Sequence, residues 1–287
     1  MPQYVKIQAE HDCKVFQNLL KRVRPYVCDI EKKNILDVGC GKRAPSTLLF
    51  SSLGAKAVGI DIDLDRGFDF AKYWQILAAR GYKAVLSRFI DDGCNSIYYR
   101  ELKKVAGFPL NFEGVDLRET DACQTNFDGE QFDLIVSNAA FEHFKDVSAV
   151  LKEMKRIMKQ DAIIHVEIHL FPSLTGGHNI LWSDPDNQRV LLGKVQPWDH
   201  LRKQKNKVNI FLNKLRERDY HKLFSNTFEI LEWINEYWEP DHFLTRELSL
   251  ELSDYSREEL LKRAIVVIAR KSRNHANICN KHENGFP

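Results

Sequence analysis

Carboxylates and imidazoles fall in three suggestive patterns along this 287-residue chain. The first is Asp37, the turn Gly39-Cys40-Gly41, and then Asp61 at the end of the next apolar run. Glycine permits a sharp turn and lets a ligand approach the backbone. A carboxylate beyond it offers two acceptor oxygens and no donor, so it can take both hydroxyl protons of a ribose. The second pattern is His165, Glu167 and His169, alternating with Ile164, Val166, Ile168 and Leu170. Alternation puts the three polar residues on one face of a strand, with His169 nearest its carboxyl end. The third is a pair of isolated imidazoles, His143 and His178. An imidazole accepts a proton near neutral pH. His143, His169 and His178 are therefore the expected catalytic residues, with His143 as first choice of base. The plainer reading of His143 is a helix cap or a core residue. Glu167, His169 and His143 are also metal-ligand types, but no spacing among them supports a site, and no metal is expected.

The elements that must position these residues follow from periodicity. Residues 12–30 read as a helix with Val15, Phe16, Leu19, Leu20 and Val23 at helical spacing, ended or kinked by Pro25. The run Asn34–Val38 is a buried strand entering the glycine turn. A helix over Ser46–Leu53 ends at Gly54, and Ala57–Asp61 is the second strand. This is the size of a βαβ unit. Residues 64–113 exceed a simple crossover and read as a helical insertion. Its helices are expected around Phe70–Ala78 and Ile97–Val105, over the carboxyl edge of the sheet, where they help enclose an acceptor. Val115–Thr120, Phe132–Asn138 and Ile163–Leu170 are the next strands, with an amphipathic helix over Val147–Lys159. Residues 171–208 are irregular and punctuated by Pro172, Gly176-Gly177, Pro185 and Pro197. Loops of this length are commonly functional, and this one reads as an acceptor lid. Phe228–Tyr237 and Ala264–Arg270 are two further strands around a helix at Ser256–Lys262. The whole reads as one domain over residues 1–287, with a mostly parallel sheet covered by helices on both faces.

Gly39-Cys40-Gly41-Lys42-Arg43-Ala44 also satisfies the G-x-G-x-x-A pattern of dinucleotide binding, with an acidic residue near the expected offset. Against a dinucleotide stands Asp37, whose charge so near a pyrophosphate is repulsive. The same carboxylate favours a cofactor with a cationic amino group and sulfonium.

Leu36-Asp37-Val38-Gly39-Cys40-Gly41 resembles the first motif of class I S-adenosylmethionine-dependent methyltransferases, and Val58-Gly59-Ile60-Asp61 the second. Asp121-Ala122 resembles the acidic residue and small neighbour beside the adenine. Phe132–Asn138 followed by Phe141-Glu142-His143 resembles the motif after strand four in the small-molecule branch often called type 11. Tyr255–Lys271 resembles that branch's last antiparallel strand. The resemblance spans roughly residues 30–170 and returns at 210–271. It implies a Rossmann-like α/β fold with seven strands, the last antiparallel. It implies S-adenosyl-L-methionine as cofactor, held by Asp37, Gly39, Cys40, Gly41, Asp61, Ile62, Asp121, Ala122 and Asn138. Within that set Asp37 supports the methionine end, Asp61 the ribose and Asp121 the adenine amino group. Many members carry a third glycine where this chain has Arg43, which either crowds the cofactor carboxylate or pairs with it.

For the substrate half, Gly176-Gly177-His178 and Pro197–Arg202 resemble segments of some type 11 members. Trp182 and Trp198 suit a sugar or ring face, or serve as apolar anchors. A small-molecule or sugar acceptor, methylated at oxygen, is expected. The alternatives are a non-catalytic S-adenosylmethionine-binding partner protein and a nicotinamide-dependent oxidoreductase. The basic run Arg202, Lys203, Lys205, Lys207, Lys214, Arg216 and Arg218 suits an anionic acceptor, or is the solvated face of a helix with Phe211, Leu212, Leu215 and Tyr220 inward. The second reading is preferred. A formal net charge of +2 also makes a nucleic-acid substrate an unfavoured reading. The six cysteines form no CxxC pair, so a reduced cytoplasmic protein is expected. No apolar run approaches a membrane span, and the sequence does not speak to oligomeric state.

Overall fold

The strand β1 (Asn34–Val38) buries its last four side chains. Ile35 enters one hydrophobic cluster and Leu36 the opposite one. Such two-faced burial is what a strand inside a parallel sheet requires. The computed structural model describes residues 2–64, 82–179, 182, 195–202 and 208–272.

Around β1 lie β2 (Lys56–Asp61), β3 (Asp116–Glu119), β4 (Phe132–Asn138), β5 (Met158–His169), β6 (Glu229–Trp238) and β7 (Lys262–Arg270). They form a seven-stranded sheet of order β3-β2-β1-β4-β5-β7-β6. The pairs among β1 to β5 are parallel, and β7 runs antiparallel to both β5 and β6. The mostly parallel, Rossmann-like architecture and its antiparallel last strand are as expected. The order reverses between β1 and β4, which opens a crevice at their carboxyl ends.

Helices cover both faces. On one side α1 (Pro2–Val23), α2 (Pro45–Ser52) and α3 (Tyr82–Val105) contribute Val5, Phe16, Leu19, Leu49, Tyr98 and Leu102 to the core. On the other, α4 (Val147–Ile157) and α5 (Glu217–Thr227) contribute Val150, Leu151, Met154, Tyr220 and Phe224. The helix α4 is capped by Asp146, whose side chain accepts from the Ala149 N–H. Two short helices, α6 (Arg246–Glu251) and α7 (Arg257–Leu261), precede β7. Ser256 and Glu259 form a capping box on α7.

Several boundaries differ from expectation. The first helix starts at Pro2 rather than residue 12, because Val5, Ala9, Cys13 and Phe16 continue one buried stripe. It ends at Val23, just before the residue that Pro25 restricts. The strand β5 starts at Met158 because that residue already pairs with Phe132, and α4 is shortened accordingly. The expected helix around Phe211–Tyr220 begins only at Glu217. Tyr220 and Leu215 do pack inward, but Phe211 is 48% exposed. The N–H of Asn213 donates to the Glu142 carbonyl, and its Nδ2 donates to the carbonyls of Phe141 and Phe144. These tertiary bonds hold residues 211–216 out of a helix. The aromatic stretch Phe70–Ala78 lies outside the described residues. No helix among the described residues is long and apolar enough to cross a membrane.

The segment after β5 has its own smaller core. Leu174, Trp182, Val195 and Trp198 pack with Phe243, Leu244, Leu252, Leu260 and Leu261. Both indoles are buried, and Trp198 Nε1 donates to the Pro172 carbonyl at 3.1 Å. They anchor the segment.

Candidate active site

The strand β1 carries Asp37 into the sheet interior. Its Oδ2 accepts the Thr47 hydroxyl at 2.7 Å and the Thr47 N–H at 3.1 Å. The carboxylate thus pins the start of α2 against the end of β1. Burial raises the Asp37 pKa to about 6, against the lowering effect of the two bonds from Thr47. Gly39 and Gly41 have φ of 71° and 68°, a region that favours glycine. A Cβ on Gly39 would sit 2.4 Å from the Cβ of Ala140, so the chain after β4 lies directly on the turn. A Cβ on Gly41 would meet nothing within 4 Å among the described residues. That is the open side of the turn. Cys40 is buried, which raises its thiol pKa.

At the end of β2, Asp61 Oδ2 accepts the Gly41 N–H at 2.9 Å and Oδ1 accepts the Asp63 N–H at 3.0 Å. Each oxygen retains a lone pair for a further donor. Ile62 is 71% exposed beside it. The Thr120 N–H donates to the Asp61 carbonyl, which sets Asp121 and Ala122 next to Asp61. Asp121 Oδ1 accepts the Cys123 N–H at 2.8 Å. At the tip of β4, Asn138 Nδ2 donates to Ser46 Oγ at 3.2 Å. Its Oδ1 is buried without a partner among the described residues.

Residues that the sequence reading passed over close this side. Gln8 and Asp12 from α1 and Asn95 from α3 join Gly41, Arg43 and Pro45 around a cavity of about 460 Å³. Gln8 Nε2 and the Tyr98 hydroxyl both donate to Asp12, at 2.8 and 2.5 Å. Arg43 Nε donates to Asn95 Oδ1 at 2.9 Å, and its guanidinium lies 4.6 Å from the Tyr98 ring. Arg43 therefore ties the glycine turn to α3. The described part of the insertion stands over the turn with α1.

Beyond Asn138, a single helical turn holds Phe141–His143. His143 Nδ1 lies 2.9 Å from the Phe211 carbonyl. Glu142 points inward, with its side chain 3% exposed. His169 Nδ1 and His178 Nε2 each lie 3.7 Å from Glu142 Oε1, and His169 Nε2 lies 3.7 Å from Glu167 Oε1. The rings of His143 and His178 are 4.8 Å apart, and those of His169 and His178 are 5.9 Å apart. All three expected histidines are brought together, and Glu142 is the member that sequence reasoning missed. Burial raises the Glu142 pKa. Burial opposes charge on His169, but Glu167 and Glu142 outweigh it and raise its pKa. Burial, with His169 and His143 adding to it, lowers His178 to about 3. His165 is apart from this group. It is buried in the sheet with neither ring nitrogen partnered among the described residues, and burial lowers it to about 4.

A cavity of about 230 Å³ is lined by Phe171, Gly177, Asn179, Trp182, His200 and Lys214 among others, and Gly177 and Asn179 are the chain neighbours of His178. Gly177 is needed here, because a Cβ would lie 2.5 Å from the His200 ring. Of the basic run, Arg202 pairs with Glu251 and Arg216 with Glu259. Lys214 Nζ lies 5.7 Å from the Phe171 ring. Lys203, Lys205 and Lys207 lie outside the described residues.

A sheet of this order, with the glycine turn and carboxylates at its crevice, defines a Rossmann-like fold of the methyltransferase class. The model of the methyltransferase-domain family matches residues 8–232, and the chain belongs to that family. It is an enzyme of S-adenosylmethionine-dependent type. A search of curated protein sequences finds no match. Among solved structures, the fold is shared by a protein from Listeria monocytogenes described as an S-adenosylmethionine-dependent methyltransferase. That likeness has 14% identity and a TM-score of 0.50, over 88% of this chain and 96% of that one. A methyltransferase from Methanosarcina mazei is 18% identical with a TM-score of 0.47, over 87% and 96% of the two chains. The geranyl diphosphate C-methyltransferase of Streptomyces coelicolor A3(2) is 12% identical with a TM-score of 0.46, over 89% and 80%.

Proposed function

We propose that the protein transfers a methyl group from S-adenosylmethionine to a hydroxyl of a small-molecule or sugar acceptor, with His143 as the base. The observation that carries this reading is the gathering of His143, His169 and His178 just past the tip of β4, beside a cavity walled by the segment after β5.

The cofactor half fits the group chemically. The buried Asn138 Oδ1, without a partner among the described residues, is an acceptor suited to an ammonium donor. Asp61 keeps lone pairs for the ribose hydroxyls, the side of Gly41 is open, and Asp121 with Ala122 stands beside Asp61 for the adenine. Asp37 acts on the methionine end through Thr47 and the start of α2. Cys40 and Gly39 shape the turn, and Ile62 offers an apolar face to the base. When bound, S-adenosylmethionine supplies a methyl group on cationic sulfur and leaves as the neutral thioether.

The chain's part is to align the acceptor oxygen and to take its proton. Alignment of reacting groups supplies much of the rate in such displacements. The Phe211 carbonyl can only accept, so His143 Nδ1 carries the hydrogen and Nε2 carries the lone pair. The acceptor hydroxyl gives its proton to Nε2 as its oxygen forms the new C–O bond. His169 and His178 complete the polar wall.

The test is incubation of the protein with the methyl donor and a panel of hydroxylated small molecules and sugars, with products resolved by mass spectrometry and NMR. An O-methyl product is the expected result. Transfer only to nitrogen or carbon acceptors overturns the base assignment. Cofactor binding with no transfer to any of these acceptors overturns the hydroxyl-acceptor reading.

A further inference from the structure

Glu142 is placed where a carboxylate is expensive. Both oxygens are buried, and no side chain among the described residues donates a hydrogen bond to them. An ionised carboxylate so placed is destabilising unless it is paired or coordinates a metal. The atoms nearest to it in this cluster are imidazole nitrogens. His169 Nδ1 and His178 Nε2 each stand 3.7 Å from Oε1, beyond hydrogen-bond range. One ligand atom from each of Glu142, His169 and His178 falls within 4.8 Å of the other two. Zinc bonds to nitrogen and oxygen of about 2.0–2.2 Å in tetrahedral geometry put ligand atoms roughly 3.3–3.6 Å apart. The two 3.7 Å edges to Glu142 therefore need to close only slightly around an ion, and the edge between the two imidazoles, which lies within 4.8 Å, closes by up to about 1.5 Å through ring rotation.

One further feature fits the same centre. The second nitrogen of His169 faces Glu167 at 3.7 Å, placed to draw in as the orienting carboxylate of a carboxylate–histidine–metal arrangement.

We propose that Glu142, His169 and His178 form a binding site for a divalent transition metal of the zinc class, with Glu167 orienting His169. Two imidazoles and one carboxylate select zinc-like ions over magnesium or calcium, which prefer all-oxygen shells. Three protein ligands leave a coordination position open. Gly177 and Asn179, which flank His178, line the acceptor cavity, so the site sits one residue along the chain from the cavity wall. This deepens the O-methylation reading and rests on it for its role. An acceptor hydroxyl that takes the position loses its proton more readily, to His143 Nε2. Spacing did not announce this site, because its ligands come from three separate segments and Glu142 was not among the metal-ligand candidates.

The test uses the full chain, freed of metal by a chelator and of any affinity tag. It is titrated with Zn²⁺ by calorimetry and with Co²⁺ by visible absorbance. One ion per chain is expected, with a Kd on the order of a micromolar or tighter. Glu142→Gln and His169→Ala each weaken binding at least tenfold, and Glu167→Gln by about 10–100-fold. His221→Ala, at an exposed position on α5, leaves it unchanged. Thermal melts check folding, and His178→Ala replaces any variant that does not fold. Absent binding, or binding that survives loss of both His169 and His178, overturns the site. Metal binding without methylation of any hydroxyl acceptor keeps the site and overturns the O-methylation reading. Full-rate methylation in chelator overturns the activating role.

Discussion

Gly39→Ala tests the packing of the turn most directly. At φ 71° an L side chain costs about 1–2 kcal/mol in the left-handed region. The new Cβ would also meet the Ala140 Cβ at 2.4 Å, and overpacking of this kind costs about 1–3 kcal/mol. The expected destabilisation is therefore about 2–5 kcal/mol. Gly41→Ala is the internal control. Its φ of 68° carries the same backbone cost, but nothing among the described residues lies within 4 Å of its Cβ, so only about 1–2 kcal/mol is expected. Urea unfolding followed by tryptophan fluorescence gives both values, and calorimetry with S-adenosylhomocysteine gives the cofactor side. Adding Ala140→Gly to Gly39→Ala restores about 1–3 kcal/mol by removing the opposing methyl. Equal destabilisation by the two single substitutions, or no rescue in the double variant, would show that the contact with Ala140 does not constrain the turn.

Four other outcomes are expected. Asp61→Ala weakens cofactor affinity by about 1.5–3 kcal/mol, the range for hydrogen bonds to a charged group; unchanged calorimetric affinity sinks the ribose assignment. His143→Ala lowers turnover about 10²–10⁴-fold while cofactor affinity is kept; turnover within about threefold of wild type makes positioning alone sufficient. His165 titrates at about 4 when folded and near 6.5 when unfolded, so the native state loses up to about 3 kcal/mol as pH falls through that window. His165→Leu removes this loss, and stability curves at pH 7 and pH 4.5 measure it. Asp37 has the opposite sign: its folded pKa of about 6 exceeds the unfolded 3.8, so it takes stability away as pH rises between those values. Asp37→Asn flattens that fall, and a variant with the wild-type slope refutes the assignment.

The parts of the site that were legible in sequence are the local ones. The glycine turn, Asp37 and Asp61 declare themselves because a βαβ unit brings them together over a short stretch of chain. The α1 residues Gln8 and Asp12, and Asn95 on α3, reach the same turn only through helix packing, and nothing in their spacing points there. Thr47 was hidden for the same reason, as an ordinary helix residue whose partner is a strand carboxylate. Glu142 stood in the motif beside His143 without a role of its own, because only the folded helical turn shows that it points inward. The stripe through Phe211, Leu215 and Tyr220 looked helical until Asn213 bonded across to Phe141, Glu142 and Phe144. Arg43 was read against a ligand, and its partners proved to be Asn95 and Tyr98.

The small core around Trp182, Trp198 and Phe243 separates two problems that the chain has to solve. Its members come from the segment after β5 and from the stretch that carries α6 and α7. None of them is shared with the two clusters that hold α1 to α5 on the sheet. The segment after β5 therefore has a hydrophobic nucleus of its own. On the proposed function, substitutions there reshape what the enzyme accepts while the packing around the glycine turn is kept. In hydrogen exchange this nucleus should open as a unit with its own free energy, below that of the sheet.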